Sequence, residues 1–286
     1  MKISGFKGFY EALPDYTEKE TRRLILRLPL FAIFALFFQV FILYFVQWLS
    51  RTSHLLGLET IEIMIPILLN LVFVLGGTIV AQQGFLKKNQ LVNTYGAYGY
   101  QKIVKTILLG ISMVFAGDLF AYLPIFYSSS SKALILSSPF DSSILGGYLS
   151  ILRYILGFAI LIIAVLAAFR AIQEFGIDSA SMVYVYFPEK AKVVDHEIYS
   201  IVRHPMYLAV ILISIGGFIV NFSFYGLIHL MITLLGFYRH IFHVEEKELI
   251  ERFGDSYDEY SKKTPAIFIH PKNWGKFFKF LLKSKK

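Results

Sequence analysis

The sequence predicts an all-α fold: a multi-pass transmembrane helical bundle of four long spans plus a C-terminal helical hairpin, followed by a cytosolic C-terminal helix. Three observations carry this. Hydrophobic residues make up 56% of the 286 and charged residues only 17%, whereas soluble domains are about a quarter charged. The mean hydropathy of +0.59 then points to lipid as the main solvent, because so few charges cannot cover a water-facing surface of this size. Apolar runs of spanning length also recur along the chain, and the basic residues gather in alternate loops.

Four runs satisfy the requirement of about 20 mostly apolar residues per span: Leu28 to Leu49, Ile61 to Leu86, Ile103 to Tyr127 and Ile144 to Phe169. A fifth apolar block, Met206 to Phe242, is too long for one ordinary span and is broken at Asn221-Phe222-Ser223. It reads as a hairpin whose arms of about 16 residues reach about 24 Å at the helical rise. Ahead of the spans, Phe6, Phe9, Tyr10 and Tyr16 stand among lysines, a pattern for a headgroup-level or flexible segment. It lacks the apolar core and cleavage site of a signal peptide. The expected division is 1–27 interfacial or flexible, 28–170 four-helix transmembrane, and 171–286 a C-terminal region with hairpin and basic tail.

Charge orients the bundle. With the N-terminus in the cytoplasm, 25 of the 28 Lys and Arg fall on that side, as the positive-inside rule requires, and both termini are cytoplasmic in a plasma or endoplasmic reticulum membrane. The net charge of +8 belongs to residues flanking apolar runs, which argues for membrane anchoring and against nucleic acid. The absence of cysteine removes disulfides, thiol nucleophiles and thiolate metal sites, and no metal is expected. In the tail, Leu249, Phe253 and Tyr257 share a helical face, Glu248 and Arg252 pair at i,i+4, and Gly254 bends or ends the helix.

Asp118 and Arg153 lie inside apolar spans at similar depth, where isolated charges are costly. They are expected to form a structural ion pair or, failing that, part of a pathway. Gln39, Asn70, Gln82, Gln83 and His229 are accounted for by interhelical hydrogen bonds.

The polar stretch ahead of the hairpin offers chemistry. Arg203-His204-Pro205-Met206-Tyr207 puts proline in a first helical turn, leaving the amides of Met206 and Tyr207, the helix dipole and Arg203 as a site for a carboxylate or phosphate. Glu245-Glu246 ends the other arm, so the hairpin should bring anion-binding amides and an acidic pair together. An amino acid zwitterion with an additional cation fits such a pocket, and S-adenosylmethionine is one.

With these residues in place, the sequence resembles the isoprenylcysteine carboxyl methyltransferase and phospholipid methyltransferase group of integral membrane enzymes. The resemblance covers roughly 191–268 and rests on Tyr199 with Arg203-His204-Pro205-Met206-Tyr207, then Glu245-Glu246 through Leu249, Phe253-Gly254, Tyr257 and Tyr260 to Pro265. It implies a C-terminal half that binds S-adenosylmethionine at the cytosolic face and a lipid-like acceptor arriving from the bilayer. Tyr199, His204, Pro205, Met206, Tyr207 and Glu245 match family cofactor positions. Arg203 and Glu246 are carried with them, as is Lys192-Val193-Val194, where the family's usual preceding histidine is Ala191. Family members also have glycine where Glu197 stands. The prenylcysteine enzymes place an arginine one helical turn before the cofactor glutamate, a position that Ile241 occupies in this sequence. Arg239 and His243, nearby, are the candidate substrate contacts. Without that arginine, a lipid amine or isoprenoid hydroxyl stands beside a prenylcysteine carboxylate as acceptor.

Sterol and enone reductases of similar architecture, which use NADPH, share the Arg-His-Pro segment and form the alternative. Their Arg-Asp-Glu and Lys-Tyr-Gly tail elements are replaced in this chain by Glu245-Glu246 and Phe253-Gly254. A non-enzymatic lipid-binding protein is the third reading. Methyl transfer from a sulfonium is an in-line displacement that needs alignment and a dry site. An ammonium acceptor must first lose a proton, for which His204, His243 and Glu246 are the candidates.

Overall fold

The computed structural model describes residues 4–53, 58–121 and 144–282, and every regular element among them is helical. In chain order these are α1 Phe6–Glu11, α2 Glu18–Ser53, α3 Leu58–Asn70, α4 Gly76–Leu86, α5 Lys88–Tyr95, α6 Gly99–Ala121, α7 Ile144–Ala180, α8 Pro205–Asn221, α9 Phe224–His240, α10 Glu246–Phe253, α11 Asp255–Lys263 and α12 Trp274–Leu282. A π-helical turn, Leu71–Leu75, joins α3 to α4, and another, Ile241–Glu245, joins α9 to α10. Among the described residues, five helical stretches are long and apolar enough to cross a membrane, and α8 is a shorter apolar helix. The chain is a multi-pass α-helical membrane protein. The end of the third predicted run, beyond Ala121, lies outside the described residues.

Lipid is the solvent that explains the surface. Phe34 of α2 is 69% exposed and Ile155 of α7 63%, and these side chains belong outside only where water is absent. Inside, helices approach through small residues. A Cβ on Gly157 of α7 would stand 3.1 Å from the carbonyl oxygen of Gly216 in α8, and one on Gly216 the same distance from that of Gly157. Gly77 and Gly110 make a comparable crossing between α4 and α6. Such crossings replace the hydrophobic drive that helices lack in hydrocarbon.

The hairpin turns at the predicted tripeptide. Phe222 takes φ 40°, ψ 53° and ends α8, and the Ser223 side chain caps α9 by accepting from the Gly226 amide at 3.0 Å. Each arm is 17 residues. Gly254 (φ 56°) separates α10 from α11, and Glu248 pairs with Arg252 at 3.0 Å along α10, both as the sequence predicted.

In the N-terminal segment, expected to be interfacial or flexible, Phe9, Ala12 and Leu13 are buried, the Phe9 ring stands edge-on to Tyr100, and the Ile177 amide donates to Ser4 where Gly176 (φ 81°) breaks α7. One expectation is corrected. Asp118 is not met by Arg153. Its Oδ1 lies 3.2 Å from Nε2 of His229 in α9, whose Nδ1 is 2.9 Å from Asn70 Oδ1, while Asn70 donates to the Tyr225 hydroxyl. The Arg153 guanidinium lies over the Tyr154 ring on α7, which packs along α8 and not along α6. Similar depth was not enough, because the side chain that reaches Asp118 is His229 of the second hairpin arm.

Candidate active site

The site forms where the two hairpin arms return to one face. Pro205 sets the start of α8, and the first amide to find a helical carbonyl is that of Leu208, to His204 at 3.0 Å. The amides of Met206 and Tyr207 therefore point out of the helix end with the positive dipole behind them. Opposite, the π turn delivers Glu245 and Glu246.

The two glutamates have different surroundings. Arg203 holds Glu246 with two parallel bonds, Nε to Oε1 at 3.1 Å and Nη2 to Oε2 at 2.8 Å. Oε1 also meets His204 Nε2 at 2.6 Å and accepts from the Tyr257 hydroxyl at 2.9 Å. Arg203 Nη1 donates to the carbonyls of Ser261 and Thr264, while the amides of Arg203 and His204 donate to Pro265 and Ala266. This network ties the tail to the start of α8. Glu246 has no spare capacity for a ligand, and Arg203 is committed to the protein.

Glu245 sits between two histidines, its Oε1 3.6 Å from His204 Nδ1 and its Oε2 3.6 Å from His240 Nε2. Oε2 is buried with no hydrogen bond, a costly state for a carboxylate and a position for a cationic ligand. Burial alone would lower the pKa of His204, but Glu245 and then Glu246 outweigh it and raise it to about 9. His204 is thus an imidazolium at neutral pH. Burial raises the Tyr199 hydroxyl well above its ordinary value, with Glu245 adding to it. Its ring stacks near Phe175, and its carbonyl accepts from Tyr260 at 2.6 Å.

Of the predicted contacts, Tyr199, His204, Pro205, Met206, Tyr207 and Glu245 converge at this site. Arg203 and Glu246, also expected to touch a cofactor, hold each other. Lys192 is exposed and Val193 half-buried in the extended segment before Tyr199, where Val194 packs on the core. Arg239 and His243 are exposed, His243 against the Tyr238 ring. Neither lies among the groups around Glu245.

Sequence reading missed His240 and gave Tyr257 only as a motif residue. In an α-helix the residue above Glu245 is Ile241, four back; in the π turn it is His240, five back. Ile241 is fully buried in the apolar core. The His240 ring instead reaches the Tyr207 hydroxyl at 2.8 Å, with Phe85 of α4 edge-on at 5.7 Å. The signal in the sequence was the run of ionisable residues Arg239, His240 and His243 just before the glutamates.

Anion-binding amides, an unsatisfied carboxylate and aromatic rings within one buried cluster suit a small zwitterion. The family described as phospholipid methyltransferase (PEMT) matches residues 152–256, from within α7 to the start of α11. This part of the chain is similar to the phospholipid methyltransferase family. Among curated proteins and among solved structures, no match to the chain is found. The methyltransferase match takes in α7 as well as the hairpin, beginning earlier than the motifs alone, and it ends before Tyr257, which donates to Glu246, and Tyr260, which donates to the Tyr199 carbonyl.

Proposed function

We propose that the protein is an S-adenosylmethionine-dependent methyltransferase acting on a lipid-like acceptor at the cytosolic surface of its membrane. The observation that carries this is the buried Glu245 carboxylate, unsatisfied at Oε2 and with Oε1 3.6 Å from Nδ1 of His204, the residue at the start of α8. Bound there, S-adenosylmethionine would supply an electrophilic methyl group on sulfonium. Glu245 holds its ammonium end, the Met206 and Tyr207 amides its carboxylate, and Tyr199 and Tyr207 offer ring faces to positive charge. His204, protonated and fixed to Glu246, keeps the pocket in shape.

The acceptor side is open to the bilayer through exposed apolar helices, and the family name favours a phospholipid. The NADPH-dependent reductase reading has no comparable support, since residues matched to the methyltransferase family include the whole hairpin. Orientation follows the basic residues, with both termini and the site cytoplasmic. The test is methyl transfer from S-adenosylmethionine carrying a labelled methyl group to the lipids of the host membrane, with the labelled product identified by mass spectrometry. Label in a lipid fraction supports the reading; S-adenosylmethionine left intact beside oxidised NADPH would replace it.

A further inference from the structure

We infer that His240 is the proton acceptor for an ammonium-bearing acceptor lipid, oriented for that role by Glu245 and Tyr207; this rests on the methyltransferase reading above. The three groups expected from sequence do not suit the task. His204 is already protonated, and its Nε2 donates a hydrogen bond to Glu246 at 2.6 Å. Glu246 is saturated by Arg203, His204 and Tyr257. His243 points to the Tyr238 ring at the exterior.

His240 is placed differently. Its ring is buried at 4% exposure, between the cofactor helix end and Phe85 of α4. Nε2 faces two oxygens, the Tyr207 hydroxyl at 2.8 Å and Glu245 Oε2 at 3.6 Å. Those acceptors, one of them anionic, favour the proton on Nε2, so Nδ1 is left as a bare lone pair. Nδ1 is buried and has no hydrogen-bond partner. An imidazole whose one nitrogen is hydrogen-bonded to a hydroxyl beside a carboxylate and whose other is free has the arrangement of a general base. The ionisable groups facing it are Glu245 and Tyr207 beside Nε2 and the His204 imidazolium beyond Glu245.

The step balances. Nδ1 takes one proton from the acceptor's ammonium. The exposed nitrogen lone pair forms the new bond to the methyl carbon as the carbon–sulfur bond breaks and its electron pair stays on sulfur. The product is a methylated ammonium and a neutral thioether, and the proton leaves His240 for solvent.

The test uses the full chain in lipid nanodiscs, with His240→Gln as variant and Tyr207→Phe as a second variant. Nitrogen NMR of histidine-labelled protein, assigned by the signal lost in His240→Gln, should show Nδ1 unprotonated and Nε2 protonated. Adding an aminophospholipid without methyl donor should shift the Nδ1 signal. Calorimetry should find S-adenosylmethionine binding within about threefold of wild type in His240→Gln, while methyl transfer to the aminophospholipid falls at least about a hundredfold at pH 7, the usual scale of general-base catalysis. That loss should shrink as pH rises and the amine deprotonates unaided. Tyr207→Phe should lose less. A proton on Nδ1, or unchanged transfer and pH profile in His240→Gln, overturns the assignment while leaving the methyltransferase reading intact. Wild-type protein that binds no S-adenosylmethionine removes both.

Discussion

Arg203 and Glu246, 43 residues apart, meet in a bidentate pair with N···O distances of 3.1 and 2.8 Å, and this pair separates the two adjacent glutamates by role. Glu246 is a structural clasp, and Glu245 is the ligand group of the proposed function. Glu246→Gln should lower stability in detergent by about 2 to 4 kcal/mol, because it strands the Arg203 charge. Glu245→Gln should cost less stability, because His204 keeps Glu246 as its closer partner, and should weaken S-adenosylmethionine by about 1.5 to 3 kcal/mol. Denaturation curves paired with binding isotherms on both variants check this, and equal effects on both quantities would contradict it.

His204 has its pKa raised by its two glutamate neighbours to about 9, against about 6.5 in an unfolded chain. A raised histidine pKa gives stability that is fully present below the unfolded value and is lost as pH rises through the folded one. Thermal stability of the ligand-free protein should therefore fall between about pH 6.5 and pH 9. His204→Gln should flatten that fall, as a melting series across the window would show.

Glu197 adopts φ 49°, a left-handed conformation costly to any residue with a Cβ, at the position where the family resemblance places glycine. Glu197→Gly should relieve the strain and, after the entropy cost of glycine, raise stability by up to about 1 kcal/mol. A drop in melting temperature would mean that contacts of the Glu197 side chain outweigh the strain.

Asp118 and His229 should be energetically coupled. Asp118→Asn and His229→Gln should each cost roughly 2 to 4 kcal/mol, and the double variant less than their sum. Asp118 and Arg153, on helices that do not pack together, should show additive losses in a parallel cycle.

How much of this was legible follows from what each signal depends on. Spans, the Asn221-Phe222-Ser223 turn, Gly254 and the Glu248–Arg252 pair are local or compositional, so the sequence contains them. The convergence of the Pro205 helix start with Glu245 was legible too, because a hairpin of equal arms returns to the face it left. Asp118's partner was not, since equal depth does not reveal which helices are neighbours. His240 was hidden by the π turn: one inserted residue rotates everything before Glu245, so counting in α-helical turns brought Ile241 into a pocket from which the structure excludes it. The partners of Arg203, Glu246 and the carbonyls of Ser261 and Thr264, were not legible because they come from residues more than 40 positions away.

The most direct measurement is calorimetric titration of the purified full-length protein with S-adenosylmethionine, beside Glu245→Gln. The account predicts saturable one-site binding by wild type, with a dissociation constant in the micromolar range and about a tenfold to hundredfold loss in the variant. No binding by folded wild-type protein, or identical binding by Glu245→Gln, would contradict it.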